Sequence, residues 1–211
     1  TWSGFSGTIA ASSVTADAGA TTLSFNAGDL SPNTTYWVRV GALYSGATSY
    51  ANTVPDSTST LTSNLVSVQY ALDYTSATVS WTAFTAGSGV QTSEGYRLEL
   101  STTGFDGTGA VYVSSTPSAA QSTLTIAGLR VNAVYALRAG AINWNDVVNW
   151  SWSGSGMTRM GGAPIFPTVS MVGVSSMGVT FGTVPYAEGY VLEASLVGDF
   201  SDAISSSTSD G

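Results

Sequence analysis

Apolar and polar residues alternate in short runs along this chain, and Gly, Ser, Asn or Pro breaks the alternation roughly every ten residues. No stretch of ten or more residues holds apolar positions at helical spacing between capping residues. A period of two with this punctuation predicts antiparallel strands and an all-β chain. In the middle of the chain the pattern places strands near 63–71, 75–83, 94–102, 109–115, 122–127, 133–144 and 149–155. Val79 and Trp81 fall on one face with Ser80 on the other, and Tyr96, Leu98 and Leu100 face inward with Arg97 and Glu99 outward. Leu124, Ile126, Tyr135, Leu137 and Ala139 complete the core face. Seven strands with this spacing of turns predict a two-sheet sandwich.

The pattern recurs. Residues 30–43 (L-S-P-N-T-T-Y-W-V-R-V-G-A-L) match residues 129–142 (L-R-V-N-A-V-Y-A-L-R-A-G-A-I), 99 positions later, with Tyr36 aligned to Tyr135 and Arg39 to Arg138 in the same register. A second match joins E-G-Y-R-L-E-L (94–100) to E-G-Y-V-L-E-A (188–194). A period this long exceeds a solenoid unit and suits one small β-domain per repeat, so the chain is an array. Val54-Pro55-Asp56-Ser57-Thr58 and Gly161-Gly162-Ala163-Pro164 are the expected joints, because Pro removes a ladder donor and Gly relaxes the backbone. Pro167 is expected on an edge strand.

Three features make the chain resemble tandem fibronectin type III domains, which are immunoglobulin-like sandwiches of strands A to G. A Trp sits in the second strand (Val79-Ser80-Trp81, with Val179-Thr180-Phe181 as its counterpart), and a Tyr opens the third (Tyr96, Tyr190). An L-x-I-x-G-L run then leads to a tyrosine corner: Leu124-Thr125-Ile126-Ala127-Gly128-Leu129 to Tyr135, and Leu23 to Tyr36. The resemblance implies one complete and two half domains. Residues 1–57 would carry C′, E, F and G; residues 58–162 a whole domain; residues 163–211 A, B, C and C′. It also implies that Trp81, Tyr96, Tyr36 and Tyr135 are structural hallmarks. Half a sandwich exposes an apolar face and unpaired edges. Either longer sequence completes the halves, or the last half of one chain pairs with the first half of the next to make a filament. Phe5-Ser6-Gly7-Thr8-Ile9 resembles Phe200-Ser201-Asp202-Ala203-Ile204, so the C′ region is expected twice.

Composition narrows the function. The net charge is -8 with only 9% charged residues, and all five basic residues are Arg. That argues against a nucleic-acid partner, since no basic stripe faces phosphates. No apolar run is long enough to span a bilayer. With no His, Cys or Lys, nucleophile–base pairs and His/Cys metal sites have no residues to use, and no cofactor is implied. Asp106, Asp146, Asp199 and Asp202 lack calcium-loop spacing and read as turn residues.

Glu99 and Arg138 lie opposite each other on neighbouring strands and predict an exposed ion pair worth under about 1 kcal/mol. Arg39 and Glu193, their counterparts in the two halves, form the candidate inter-subunit pair. Trp144, Asn145, Asp146, Trp150 and Trp152 form an aromatic loop region suited to packing a neighbouring domain, or to stacking on a glycan or protein partner. Asn33 and Asn149 match the N-glycosylation triplet. These features suggest a non-enzymatic array on an extracellular filament, stalk or prokaryotic cell surface, whose partner is more of the same protein. The other readings are an adhesion module binding glycan or protein, and a spacer in a secreted glycoside hydrolase.

Overall fold

The computed structural model describes residues 7–209. Phe5 and Ser6, which open the expected C′ overlap, lie outside the described residues. The described strands are β1 (Thr35–Tyr44), β2 (Ala47–Ser59), β3 (Gln69–Leu72), β4 (Ser76–Ser80), β5 (Gly95–Ser101), β6 (Val111–Thr116), β7 (Thr123–Ala127), β8 (Val134–Ile142), β9 (Val148–Met157), β10 (Ile165–Val172), β11 (Met177–Gly182), β12 (Gly189–Ala194) and β13 (Ile204–Ser209).

Strands β3 to β9 make the sandwich. One sheet has the order β3-β4-β7 and the other β6-β5-β8-β9. The alternation that predicted them is the alternation that buries them: Val79, Leu124 and Ile126 face Leu98, Leu100, Leu137 and Ala139 across one core. Each large side chain removed from water here contributes about 1.5–3 kcal/mol. Trp81 packs on Tyr96 with ring centroids 4.8 Å apart. The Tyr96 hydroxyl spends its polarity locally, accepting from Phe84 N at 2.5 Å and donating to the Ala119 carbonyl at 2.8 Å. At the other end of the core, Tyr135 is fully buried and its hydroxyl accepts from Arg130 N at 3.0 Å. Tyr36 repeats this corner by accepting from Ser31 N at 2.9 Å.

The first strand of the sandwich is shorter than its pattern. Residues 62–66 carry the expected alternation but cross from one sheet towards the other, and a crossing chain cannot hold one continuous ladder. Side chains substitute for the ladder: Asn149 Nδ2 donates to Thr62 O at 2.8 Å, and Leu65 N donates to Ser151 Oγ at 2.9 Å. On the other side, Thr82 N donates to Val66 O at 3.1 Å.

Among the described residues the flanks form two-stranded sheets: β1-β2 before the sandwich, β10-β11 and β12-β13 after it. Residues 20–26, where the motif around Leu23 predicts a strand, form none. The reason is pairing. The corresponding β7 is an edge strand whose ladder runs to β4, and among the described residues no such strand lies beside residues 20–26. The expected joint at 54–58 is also placed differently. Those residues lie within β2, where a bulge between Trp37↔Ser57 and Arg39↔Asn52 holds Pro55 clear of the ladder, and the chain leaves β1 only after Ser59. Pro167 sits in the irregular stretch of β10 between Ile165↔Gly182 and Thr168↔Thr180.

Burial raises the Tyr135 phenol above its ordinary value of 10.0, and the hydrogen bond from Arg130 only partly opposes that. The folded state therefore holds the proton more tightly than the unfolded state. Its stabilising contribution is complete below pH of about 10 and declines as pH rises through the folded value. Tyr135→Phe should remove that proton from the alkaline dependence, giving a shallower loss of stability above pH of about 10 in urea melts. At neutral pH it should cost about 1–2 kcal/mol, because Arg130 N loses its acceptor. An unchanged alkaline slope would show that the corner does not couple to titration.

Candidate functional site

The first site is a joint built from the turn before the tyrosine corner. Asn33 has φ of 44°, in the left-handed region that Asn tolerates, and this turn directs its side chain out of its own unit. It lands in the loop of residues 85–92 and is fully buried there. Nδ2 donates to Gly87 O at 3.0 Å and to Thr92 Oγ1 at 3.2 Å, while the backbone carbonyl of Asn33 accepts from Gly89 N at 3.3 Å. Gly87 and Gly89, at φ of 117° and 104°, give the loop the backbone path that this approach needs.

A second loop closes on the same segment. Asn143 is buried, and its Nδ2 donates to Ser59 O at 3.3 Å and Thr60 O at 3.1 Å. Its Oδ1 accepts from Asn145 N and Val147 N, which fixes the loop, and Asn145 Oδ1 accepts from Ser59 N at 3.0 Å. Thr60 locks the joint from the other side by donating to Ser31 O at 2.7 Å.

The next joint repeats the lock without the socket. Thr158 Oγ1 donates to Arg130 O at 2.6 Å, and Asn132, at φ of 50°, donates its N–H to Arg159 O as Asn33 does to Leu61 O. The facing loop is shorter. Twelve positions separate Phe84 from the Tyr96 hydroxyl it binds, against six between Val184 and Tyr190. Asn132 is exposed, and a cleft of about 310 Å³ lies between Arg130–Ala133 and Tyr186–Glu188. Arg130 spans it, 5.0 Å from the Tyr186 ring.

The second site lies on the outer face of the four-stranded sheet. Glu99 is opposite Arg138 in the β5-β8 ladder. Arg138 Nε and Nη2 donate to Oε2 at 2.9 and 2.6 Å. Arg97 Nε lies 2.8 Å from Oε1, close enough for an ion pair but out of hydrogen-bond alignment. The pair is not the exposed one expected from its outward position, since Glu99 is only 4% exposed. Arg138 lies over two rings, 4.2 Å from that of Phe105 and 4.3 Å from that of Trp150, and together they cover the carboxylate. A bulge makes this possible. Trp152 is opposite Ala139 but Trp150 is opposite Gly140, so the extra residue, Ser151, sends the two tryptophans to opposite faces.

The structure therefore divides the residues of the expected aromatic loop. Trp152 packs on Tyr70 and the core, Trp150 covers Arg138, and Trp144 alone is exposed at the loop tip. Asn145 holds the preceding segment, and Asp146 makes the turn by donating its N–H to Asn143 O. Asn33 is not open to glycosylation in this fold because its amide is buried and bonded. Asn149 also has its Nδ2 engaged, by Thr62 O and Asn64 Oδ1. Arg39, expected to look only to Glu193, stacks on Tyr50 of its own hairpin at 3.7 Å. Glu193 is exposed on β12. The candidate calcium acids serve turns: Asp106 and Asp199 are held below the usual carboxylate range mainly by the backbone N–H groups of Thr108 and Ser201, and Asp202 accepts from Ser195 Oγ.

Sequence reasoning missed Asn143, Thr60 with Thr158, Phe105, and the docking role of Asn33. Two signals were present. Asn33 and Asn132 occupy one repeat position, and the Gly87–Gly89 segment is an insertion relative to Pro185–Glu188.

No protein-family model and no curated protein sequence matches the chain. Among solved structures, it is similar to a two-domain fibronectin type III segment from chicken tenascin, at 16% identity and a TM-score of 0.55, over 70% of this chain and 78% of that one. A fibronectin type III domain of human collagen α1(XX) matches at 23% identity and a TM-score of 0.40, over 50% of this chain and 92% of that one. The tenascin likeness, with the sandwich above, shows the tandem fibronectin type III fold.

Two outcomes test these sites. Asn33→Gly keeps the backbone freedom and removes the buried amide. It should weaken the joint by about 1–3 kcal/mol, read as hydrogen exchange about tenfold faster or more in residues 85–92. Asn132→Gly should leave residues 184–188 unchanged. Arg138→Ala should destabilise the sandwich by about 2–3 kcal/mol in urea, since Arg97 still faces Glu99. A cost below that of Arg97→Ala would contradict the assignment of Arg138 as the main partner.

Proposed function

We propose that this chain is a structural, non-enzymatic array of fibronectin type III units that forms or decorates an extracellular filament, stalk or surface. The observation that carries this reading is the Asn33 joint. A fully buried amide from one unit, seated in one loop of the next while a second loop grips the connecting segment at Ser59 and Thr60, resists bending between units, and stiffness is what a stalk requires. Two further observations support it. The surface is poor in charge, and the polar clusters are spent on packing and turns. Among the described residues no helix is long and apolar enough to cross a membrane.

A glycan-binding reading retains Trp144 alone, because Trp150 and Trp152 are engaged on opposite faces of the sheet. Electron micrographs of the native material should show beaded rods or fibres. The bead spacing should be about 30–35 Å, the length of strands of about ten residues at about 3.3 Å each. Compact particles with no axial repeat would overturn the reading.

A further inference from the structure

The joint that follows the sandwich carries polar and aromatic side chains around a cleft, and the fold leaves them unused. The walls are residues 130–133 and residues 186–188, and the volume of about 310 Å³ is at the lower end of what holds a small ligand. Both walls are pinned through a tyrosine hydroxyl. Tyr135 accepts from Arg130 N at 3.0 Å, and Tyr190 accepts from Val184 N at 2.7 Å. The Thr158 hydroxyl donates to Arg130 O, and Asn132 N donates to Arg159 O, so the first wall is anchored at both of its polar residues. Gly161 sets the width of the joint. A Cβ there would stand 3.3 Å from Val184 Cγ1 and 3.6 Å from Val131 Cγ2, so the connecting segment packs between the two walls.

Four side chains meet at this cleft: Arg130, Asn132, Tyr186 and Glu188. Asn132 holds the repeat position of Asn33, with φ of 50° against 44°, so a like turn carries its amide towards the neighbouring unit. No socket receives it. Among the described residues neither the Asn132 amide nor the Glu188 carboxylate has a partner, and both residues are exposed. Arg130 lines the same cleft without pairing with Glu188, and its contact is the Tyr186 ring at 5.0 Å. Tyr186 has φ of 64°, a left-handed backbone that a bulky residue adopts only under strain. The turn closed by Ala187 N and Val184 O holds it there, with the residue 56% exposed.

These groups select a ligand class. An amide, a carboxylate and a guanidinium are planar, can each meet two adjacent hydroxyls, and together offer both donors and acceptors. The Tyr ring adds a flat apolar face. Opposite charges held apart in one cleft suit a neutral ligand that donates and accepts, and a chain of net charge -8 disfavours a free anion. We propose that this cleft binds one ring of a neutral saccharide, with Asn132 and Glu188 on adjacent hydroxyls, Arg130 on a sugar oxygen and Tyr186 against the apolar face. The site owes nothing to the tryptophans of residues 144–152. β8 runs from Val134, beside the cleft, to Ile142, beside the loop that carries Trp144, so the two places lie at opposite ends of the sandwich. The inference goes beyond the array reading, since either a stalk or a spacer could carry such a site.

The test titrates methyl glycosides of glucose, galactose and mannose into the full 211-residue chain, with sodium acetate and free glycine as anionic and zwitterionic probes. Saturation-transfer NMR reads binding, and hydrogen exchange locates it. At least one glycoside should bind in the millimolar range and slow exchange in residues 184–188, while residues 85–92 stay unchanged. Asn132→Gly and Glu188→Gln should each weaken binding about tenfold, because each removes hydrogen bonds to the sugar. Gly suits the positive φ at position 132 and Gln keeps the shape at 188, so neither should shift the urea melt of the sandwich. Trp144→Ala should leave the affinity unchanged.

Four results would each overturn the inference: no glycoside bound, acetate or free glycine preferred, full affinity in both cleft variants, or a loss on Trp144→Ala instead. Beaded fibres that bind no glycoside would sink the cleft and leave the array reading standing. Compact particles that bind through Asn132 and Glu188 would do the reverse.

Discussion

A β-sheet with one apolar face needs a second layer over that face and a neighbour along each edge, and every feature of this chain follows from where that need is met. In the sandwich it is met twice over. The β3-β4-β7 sheet covers the β6-β5-β8-β9 sheet, and the core between them is closed by Trp81, Tyr96 and Tyr135. The two tyrosines work because each hydroxyl reaches a backbone partner while its ring fills the core, so a large side chain is buried without stranding its polar atom. The flanking hairpins carry similar residues at corresponding positions, but among the described residues no second layer covers them. Residues 20–26 then have no strand to pair with, and Val40 and Phe181 remain open.

The two joints show how a repeat can be kept in its frame and varied in its function. Both use a threonine hydroxyl to tie the connecting segment to the corner, and both hold an Asn at positive φ facing the next unit. What differs is the loop that receives the Asn. A longer, glycine-bearing loop wraps Asn33 and makes a rigid seat, whereas the shorter loop opposite Asn132 leaves a cleft spanned only by Arg130 and Tyr186.

Much of this was legible in the chain. The period-two alternation placed β4 to β9 within a few residues, and Val79, Leu98, Ile126 and Leu137 were assigned to the core from spacing alone. The repeat located the tyrosine corners and put Glu99 opposite Arg138. What stayed hidden was set by residues distant in sequence. Glu99 read as exposed because its position is outward. It is covered because Ser151 bulges and turns Trp150 onto the outer face. Asn33 read as an ordinary turn residue because its socket, Gly87 to Thr92, belongs to the next unit.

The sequence by itself determined the strand periodicity, the sandwich class and the repeated frame, since each depends on side chains alternating between two faces of one strand, a property written locally. It also determined which catalytic chemistry lacks residues, because that depends on composition. Only the tertiary structure decided which outward charge is buried, which tryptophan of residues 144–152 is exposed, and which Asn is seated in a socket and which is left open. Those outcomes turn on a one-residue bulge and a six-residue difference in loop span between corresponding tyrosine contacts. Shifts of that size change the partner of a side chain without changing the pattern that encodes the strand.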